Sequence, residues 1–507
     1  MLMGSCLQCG SVTLMLLVTV ITVDARTLAA SDTGAASDIA AASDTEAASD
    51  TGAAGDTEAA SDTRATSDTA AASDTGAASD TEQLPTNNYQ YLDGHQVWRV
   101  EEEEGNTTIL QQLHVAGVLD VLDHSGPSRT IRVPPESLSE VNYNLQNAGV
   151  HYLVLIHDLA TYLRDHEVIK LRRGNIGQTC TSSSCPAPLT DAYMTFEQIE
   201  WYLRHLATHP RVEVTSIGKS VEGRNIWLVH IMPATTCRGG RSAAVMPRHH
   251  QRQKHYRAAK ARSIWLEAGL HAREWISVSV ALQLIHNMVR ECSVGRAVHV
   301  YVVPMANPDG YVYTWTHQRM WRKNRRRNHG SNCDGVDLNR NWDFQFGVGA
   351  SSSPCSEIYQ GPSSFSEPET QSLRDAMHQV NSVSKLMLVL ALHSYGQLLL
   401  YPFGHTTEPA PHTPAMRRLG NIFAQHAKVG SGTVYDVMNS ATGLYFSSGS
   451  TDDWAKGVLN TKFVYTLELR NKVTFLLNAD QIFPTGQEVW DGLRAMIEAL
   501  TPEKLSE

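Results

Sequence analysis

Two side chains that could hold a divalent metal lie in the stretch 269–275. His271 and Glu274 are three residues apart, so on a turn or at the start of a helix they face the same way. An imidazole and a carboxylate on one face can bind a zinc ion, but a catalytic zinc site takes three protein ligands and keeps a position for water. The pair alone is a weak indication, because two such residues often meet by chance on a solvated helix face. The stretch predicts a metal site if another part of the chain supplies a third ligand.

The ends of three predicted strands carry groups that could complete such a site. One apolar run leads into His271, a second ends in His393, and a third reaches Glu468. In open α/β sheets, ligands bind beyond the carboxyl ends of the strands. A single histidine at a strand end is more often a satisfied surface or core residue than a ligand. Two His and two Glu at three strand ends, however, favour a site.

Two stretches that contain arginine indicate the kind of substrate. Arg340 lies in residues 337–343, and Arg322 lies in residues 319–323. Since arginine is the bidentate partner of a carboxylate, a metal beside several arginines indicates an anionic substrate end. The run 322–327 could also be a solvated basic loop or a nucleic-acid patch. Nucleic acid is disfavoured because the chain, with 507 residues and a net charge of -10, is acidic and is predicted to be secreted.

The elements that must position these groups alternate between apolar runs and helical patterns from about residue 193 to residue 500. The predicted strands are 226–231, 264–270, 298–305, 386–392 and 463–469, and the predicted helices are 196–207, 276–289, 367–380 and 486–500. Continuous apolar strands interleaved with helices are typical of an α/β fold with a buried sheet. We therefore predict a mixed, largely parallel central sheet with helices on both faces.

Residues 1–25 are predicted to be a secretory signal peptide. The apolar stretch 12–23 is too short to span a bilayer, and small residues precede the expected cleavage point. Without Cys6 and Cys9, six cysteines remain, an even number that suits an oxidising compartment. No later run is long enough to cross a membrane, so we expect a secreted, extracellular protein.

Residues 26–89 consist mainly of a hexad repeat of the form Ala-Ala-Ser-Asp-Thr-x, with almost no bulky apolar side chain. Such a segment cannot bury enough surface to offset the entropy of ordering, so we predict an acidic, disordered and solubilising spacer. Calcium or mineral binding is the alternative, although one Asp in every six residues is sparse for that role.

Residues 90–165 predict a small α+β domain, with strands at 96–100, 131–133 and 150–156. A polar linker, 166–190, follows it and contains Arg172 and Arg173. Because trypsin-like proteases cleave after basic residues, we expect such a protease to cut this linker and so to activate the protein.

A basic segment, 235–262, interrupts the second domain between two predicted strands. It carries eight Lys or Arg, three His and no acidic residue. We predict a mobile surface loop whose summed positive field attracts polyanions.

Six motifs within residues 191–501 resemble, in order, those of the zinc metallocarboxypeptidases of the pancreatic A/B type. They are 269–275 (Gly-Leu-His-Ala-Arg-Glu-Trp), 307–311 (Asn-Pro-Asp-Gly-Tyr), 321–323 (Trp-Arg-Lys), 335–342 (Gly-Val-Asp-Leu-Asn-Arg-Asn-Trp), 392–396 (Leu-His-Ser-Tyr-Gly) and 467–470 (Leu-Glu-Leu-Arg). Residues 90–165, which include Arg132-Val133-Pro134-Pro135, resemble that family's inhibitory propeptide. The resemblance implies a zymogen whose domain 191–501 hydrolyses the C-terminal peptide bond of peptides or proteins.

The resemblance also implies a role for individual residues. One zinc ion would be held by His271, Glu274 and His393, the two-histidine, one-glutamate ligand set of that family. Glu468 matches the general base, and Arg322 matches the residue that polarises the scissile carbonyl. The substrate-binding positions given by the same match are Arg273, Asn339, Arg340, Tyr395, Tyr445 and Asp452.

Asp452 decides the expected specificity, because the match places it at the floor of the pocket for the released residue. An apolar residue there gives an A-type enzyme for aromatic or aliphatic ends. A carboxylate is costly to bury alone but favourable when a Lys or Arg side chain reaches it. Gly404 and Ser440 leave room for a long side chain. The chain therefore resembles carboxypeptidase B most, with an A-type enzyme or a non-catalytic secreted matrix or binding protein on the same fold as alternatives.

Two further expectations concern disulfides and a loop. Cys333 and Cys355 match the family's disulfide pair, whereas the pairings of Cys180 with Cys185 and of Cys237 with Cys292 stay open. The segment after Arg470 is about two residues shorter than in the family and affects the pocket wall near Phe475.

Overall fold

The computed structural model describes residues 89–101, 107–123, 128–166, 187–234, 262–291, 298–472 and 474–500. The predictions for the signal peptide, the hexad repeat, the dibasic linker and residues 235–261 of the basic segment lie outside these ranges. So do the open pairings of Cys180, Cys185, Cys237 and Cys292. Searching the described residues finds no helix with the length and apolar character needed to cross a membrane.

The first domain is a small α+β unit, as predicted, but its antiparallel sheet has four strands where three were expected, the additional one being Asp120–Asp123. Its strands are β1 (Gln96–Glu101), β2 (Asp120–Asp123), β3 (Ser128–Val133) and β4 (Tyr152–Ile156), in the spatial order β2-β3-β1-β4, and its helices are α1 (Thr107–Val115), α2 (Leu138–Asn147) and α3 (Leu159–His166). Successive side chains of a strand point to opposite faces. In β1, Trp98 and Val100 accordingly pack with residues of α1 and α2, whereas Val97 packs with residues of α3.

The second domain is built on an eight-stranded sheet. Its strands are β5 (Val212–Lys219), β6 (Asn225–Ile231), β7 (Arg262–Ala268), β8 (Val298–Val303), β9 (Lys385–Ser394), β10 (Leu398–Tyr401), β11 (Asp436–Asn439) and β12 (Phe463–Leu469), in the spatial order β11-β10-β12-β9-β7-β8-β6-β5. The central pairs β12–β9, β9–β7 and β7–β8 are parallel, as is β10–β11. The pairs β5–β6, β6–β8 and β10–β12 are antiparallel, so the sheet is mixed and its centre is parallel.

Helices cover both faces of this sheet. They are α4 (Phe196–Leu206), α5 (Trp275–Arg290), α6 (Pro308–Thr316), α7 (Pro368–Val383), α8 (Thr413–Ser431), α9 (Ser440–Gly443), α10 (Thr451–Gly457) and α11 (Ile482–Ala499). On β7, Ile264 and Leu266 belong to the core shared with α5, α8 and α11, while Trp265 belongs to the core shared with α7 and α10. Both faces of β7 are therefore buried, which explains its continuous apolar run.

The five predicted strands of this domain correspond to β6, β7, β8, β9 and β12. The predicted strand 264–270 has the right length but lies two residues too far along the chain, because β7 runs from Arg262 to Ala268. Gly269 follows with φ +67°, and a Cβ on it would lie 2.9 Å from Val278 Cγ2 and 3.2 Å from Met305 Cα. Only glycine fits this close turn without strain. The predicted disulfide between Cys333 and Cys355 is present.

Candidate active site

Three metal-ligating side chains meet at the carboxyl ends of β7 and β9. His271 lies in the turn after β7, Glu274 directly precedes α5, and His393 is the penultimate residue of β9. His271 Nδ1 lies 2.8 Å from Glu274 Oε1, and His393 Nδ1 lies 3.1 Å from His271 Nδ1 and 3.2 Å from Glu274 Oε2. Within the described part of the chain, this is the single group of three such residues whose ligand atoms lie within 4.8 Å of one another.

Local hydrogen bonds hold the turn that carries two of these residues. Ser277 Oγ donates to the carbonyl oxygen of Glu274 at 2.7 Å and accepts from the backbone N–H of Gly269 at 3.3 Å. Asn307 Nδ2 donates to the carbonyl oxygen of Leu270 at 3.2 Å, and the Asn307 N–H donates to that of Gly269 at 3.1 Å. The turn is thus tied to the first turn of α5 and to the start of α6.

The electrostatics of the cluster suit a cation. Burial alone would raise the pKa of Glu274, but the charges and hydrogen bonds of His271 and His393 hold it well below its usual range. Burial alone would lower the pKa of His393, yet the hydrogen bond and charge of Glu274 raise it to about 9. The cluster therefore stabilises positive charge at the point where the three ligand atoms meet. In the absence of a metal, that charge is the proton on His393, and a divalent ion that binds there must displace it.

Asp337 contacts His271 through the ring nitrogen that faces away from Glu274 and His393. The sequence motif did not reveal this role. Asp337 Oδ1 lies 3.2 Å from His271 Nε2, and its Oδ2 accepts hydrogen bonds from Arg322 Nη2 at 2.9 Å and Arg322 Nε at 3.2 Å. Burial would raise the pKa of Asp337, but Arg322 and His271 lower it well below its usual value. A carboxylate behind a ligating imidazole fixes its tautomer and orientation, which leaves Nδ1 of His271 for a metal. Arg322 Nη1 lies 3.9 Å from Glu274 Oε1, so the guanidinium borders the cluster.

Glu468 joins the site through the register of the sheet. On the parallel neighbours β12 and β9 it is the residue directly opposite His393. It lines the same pocket as His271, Glu274 and Arg322. Gly396 lies against it, since a Cβ on that glycine would come within 3.3 Å of Glu468 Cβ. The predicted carboxylate is therefore next to the metal cluster and faces the pocket.

An arginine with unused hydrogen-bonding capacity lines another wall of the pocket. Arg340 is buried; its Nη2 donates to the Tyr445 hydroxyl at 2.5 Å and its Nη1 to the Asn339 carbonyl at 2.7 Å. Its buried Nε has no hydrogen-bond partner among the described residues. Asn339 Oδ1 accepts from the Thr451 N–H at 3.2 Å. The structure brings Asn339, Arg340 and Tyr445 together, as the resemblance implied, in a form that can receive an anion.

Asp452 lines the pocket and lies at the start of α10. It is 6% exposed, and its Oδ2 lies 3.5 Å from Ser440 Oγ. The next residue, Asp453, points elsewhere and accepts from the Gly404 N–H at 2.8 Å and from His405 at 3.0 Å. Asp452, Gly404 and Ser440 line the pocket together. In the described residues, no Lys or Arg forms an ion pair with Asp452.

The remaining predicted residues, Arg273 and Tyr395, also line the pocket. Arg273 Nη1 lies 3.3 Å from Glu357 Oε2, and its guanidinium carbon lies 4.9 Å from the centre of the Phe475 ring. The Tyr395 ring packs on Phe475 with a centroid separation of 5.9 Å. Phe475, 2% exposed, therefore packs against both of these side chains.

The first domain packs against the part of the pocket that contains Arg273 and Tyr395. Val121 and Leu122 of β2 line the pocket beside Arg273 and Glu357. Tyr89, Leu92 and the α3 residues Leu159 and Leu163 form one apolar cluster with residues of the second domain, namely Met320, Tyr395, Phe475 and Leu476. Arg99 Nη2 donates to the Lys472 carbonyl oxygen at 2.9 Å, and the N–H of Arg319 donates to the Tyr91 hydroxyl. The strand β2 therefore contributes two apolar side chains to the pocket that contains the metal cluster.

Comparison with known proteins agrees with this geometry. Residues 199–492 match the family model described as zinc carboxypeptidase, and residues 101–166 match the carboxypeptidase activation peptide. Carboxypeptidase A4 of Mus musculus is 35% identical over 73% of this chain and 83% of its own length. Carboxypeptidase B of Astacus astacus is 35% identical over 60% of this chain and 96% of its own length. The crystal structure of carboxypeptidase A from Helicoverpa armigera matches 81% of this chain and 99% of its own with a TM-score of 0.68 and 30% identity.

The chain belongs to the zinc carboxypeptidase family. It is a zinc-dependent metallocarboxypeptidase with an activation peptide, and hence a zymogen. The cluster of His271, Glu274 and His393 fits a single zinc ion in number, donor type and burial. The relatives include both A and B types, so the choice between them depends on the pocket of this chain.

Proposed function

We propose that this protein is a secreted carboxypeptidase zymogen of the B type, which releases C-terminal Lys and Arg from peptides or proteins. The observation that carries the proposal is Asp452, a buried carboxylate that lines the pocket and has no cationic partner among the described residues. An unpaired buried carboxylate is unfavourable, and a Lys or Arg side chain of the substrate would supply the missing charge.

The anion-binding wall would make the enzyme an exopeptidase. Arg340, Asn339 and Tyr445 would bind the terminal carboxylate of the substrate, with the unused Nε and the Nη2 of Arg340 as donors. A peptide that continues past this point offers no carboxylate to the guanidinium. Cleavage is therefore restricted to the last peptide bond, and the side chain of the last residue extends towards Asp452.

The residues around the metal cluster would carry out the hydrolysis. His271, Glu274 and His393 would hold the zinc ion, which would supply Lewis acidity at this point. Glu468 would take a proton from the attacking water and return it to the nitrogen of the departing residue. Arg322, fixed by Asp337, would donate hydrogen bonds to the oxygen of the scissile carbonyl as negative charge develops there.

The processing of the chain completes the proposal. Residues 1–25 would be the signal peptide, 26–89 an acidic spacer, 90–165 the inhibitory domain, 166–190 the activation linker and 191–501 the catalytic domain. A trypsin-like protease would cleave after Arg172 or Arg173. The basic segment 235–262 would bind polyanions through its summed charge.

The A-type alternative has support from the carboxypeptidase A4 of Mus musculus and the carboxypeptidase A structure of Helicoverpa armigera, although the carboxypeptidase B of Astacus astacus is equally similar at 35% identity. One experiment separates the two types. The activated enzyme is given peptides that are identical except for a C-terminal Arg, Lys or Phe, and kcat/KM is measured for each. The proposal expects the Arg and Lys peptides to be cleaved most efficiently. Preferential cleavage of the Phe peptide would indicate an A-type enzyme and overturn the proposal.

A further inference from the structure

A serine hydroxyl lies beside the buried carboxylate of the pocket. Ser440 begins α9, is 7% exposed and lines the pocket together with Asp452. Its Oγ lies 3.5 Å from Asp452 Oδ2 and 3.2 Å from the carbonyl oxygen of Tyr401. A hydroxyl has one proton to donate, and the Tyr401 carbonyl is the closer acceptor. The lone pairs of Oγ therefore remain available to a cation that binds Asp452.

The two oxygens of Asp452 are not equivalent as acceptors. Oδ1 accepts a hydrogen bond from the N–H of Asp453 at 2.9 Å, whereas Oδ2 is the oxygen near Ser440 Oγ. A guanidinium fork donates two parallel hydrogen bonds to both oxygens of one carboxylate, and Oδ1 is already engaged. The pair Oδ2 and Ser440 Oγ is more widely spaced than that fork requires. One ammonium nitrogen, a compact charge with three donors, fits within hydrogen-bonding distance of both.

The space beside Asp452 is confined by the same serine. A Cβ on Gly404 would lie 3.7 Å from Ser440 Cβ and 2.8 Å from the Ser447 carbonyl oxygen, so these groups lie close together. The side chain of Ser440 takes up volume next to the carboxylate that a glycine at this position would leave open. An ammonium group is a single nitrogen, whereas a guanidinium is a planar group of one carbon and three nitrogens. The confined space therefore favours the smaller cation.

We propose that Ser440 is a specificity-determining residue which, together with Asp452, makes the enzyme prefer C-terminal Lys over C-terminal Arg. This inference rests on the proposed B-type function and narrows its substrate class. The Lys ammonium donates to Asp452 Oδ2 and to Ser440 Oγ, while the Ser440 hydroxyl donates to the Tyr401 carbonyl. Leu400 and Leu444 line the same pocket and offer apolar contacts to the methylene stem of the Lys side chain.

The test uses the activated enzyme and three peptides that differ only in a C-terminal Lys, Arg or Phe. We expect the wild type to have a higher kcat/KM for the Lys peptide than for the Arg peptide. Ser440→Ala removes an acceptor for the ammonium and should lower kcat/KM for the Lys peptide by roughly 10-fold, with a smaller change for the Arg peptide. Ser440→Gly also opens space and should raise kcat/KM for the Arg peptide. Thr442→Ala, at an exposed position of the same helix, is the matched control and should keep the wild-type ratio.

Product inhibition of the wild type gives a second readout that does not depend on the folding of a variant. Free lysine should inhibit cleavage of the Arg peptide at lower concentrations than free arginine does. The inference is overturned if the wild type prefers the Arg peptide, if free arginine inhibits at least as strongly as lysine, or if Ser440→Ala leaves the Lys-to-Arg ratio unchanged. A preference for the Phe peptide over both basic peptides is a different result, because it would overturn the B-type function itself and this inference with it.

Discussion

Asp337 Oδ1 lies 3.2 Å from Nε2 of His271, so the imidazole is held with its Nδ1 towards Glu274 and His393. The other oxygen of the same carboxylate binds Arg322. One buried acid thus orients a metal ligand and an arginine that borders the metal cluster. Two functions that the resemblance assigned to separate motifs therefore depend on a single side chain.

The first prediction follows from this relationship. Asp337→Asn should weaken zinc affinity by about 10- to 100-fold, because a neutral amide holds the imidazole and the guanidinium less firmly. Zinc competition with a chelator of known affinity measures the change. Asp334→Asn is the control, since Asp334 is a neighbouring acid that pairs with Arg325 at 3.2 Å. Equal zinc affinity in both variants would contradict the role of Asp337.

The second prediction concerns Glu468. Glu468→Gln should retain zinc, because the residue is not part of the three-ligand cluster, but should lose most turnover, by roughly 10²- to 10⁴-fold, since the amide cannot accept the proton. Zinc content and kcat are measured on the same sample. A fully metallated variant with nearly normal kcat would refute the role of Glu468 as the base.

Much of this site was predictable from the sequence because its residues follow apolar runs. A buried strand ends where its apolar run ends, so His271, His393 and Glu468 were expected at one edge of the sheet. The register of β9 and β12 places Glu468 opposite His393, and His393 Nδ1 lies 3.1 Å from His271 Nδ1. Asp337 was different. Its motif placed it near the arginines, but nothing local indicated which of its neighbours it would bind.

Elements that depend on tertiary contacts were missed for a similar reason. The strands β10 and β11 have four residues each, too few for a reliable period, and they exist because they pair with β12 and with each other. The edge strand β5 has an irregular pattern of buried and exposed residues and a register shift between Ser216 and Gly218. In these places the partner strand, and not the local sequence, determines the structure.

The third prediction concerns stability and pH. Burial raises the pKa of Glu369 from 4.5 to about 7, even though the Val221 N–H and Asn324 Nδ2 donate to it. In the unfolded chain this acid ionises near its usual pKa, so the folded state binds one proton more between these two values. Its contribution to stability is therefore complete below pH 4.5 and is lost as pH rises to 7, by roughly 3 kcal/mol at most.

Urea unfolding of wild type and Glu369→Gln at pH 5 and pH 8 measures this contribution. The decrease in unfolding free energy between the two pH values should be smaller in the variant. Glu498→Gln, at an exposed position, should behave like the wild type. If Glu369→Gln shows the same decrease as the wild type, Glu369 does not titrate as proposed.

The fourth prediction concerns activation. Limited digestion with a trypsin-like protease should raise the hydrolysis of small peptides, because Val121 and Leu122 of the first domain line the pocket of the intact chain. The matched variant Arg172→Gln/Arg173→Gln should activate more slowly under the same digestion. Activity and chain length are followed in parallel. Equal activity of intact and cleaved wild type would mean that the first domain does not restrict access.

The most direct test of the proposed specificity changes the floor of the pocket. Asp452→Ala, in the activated enzyme, should lower kcat/KM for an Arg-ended peptide by roughly 2–4 kcal/mol of transition-state binding, as expected when a buried charge loses its partner, and should leave a Phe-ended peptide nearly unchanged. Glu357→Gln is the control, because Glu357 is an acid at the pocket mouth that already pairs with Arg273, and it should not change the ratio between the two peptides. A loss of equal size on both peptides in Asp452→Ala, or no loss on either, would contradict the assignment of Asp452 as the residue that selects Lys and Arg.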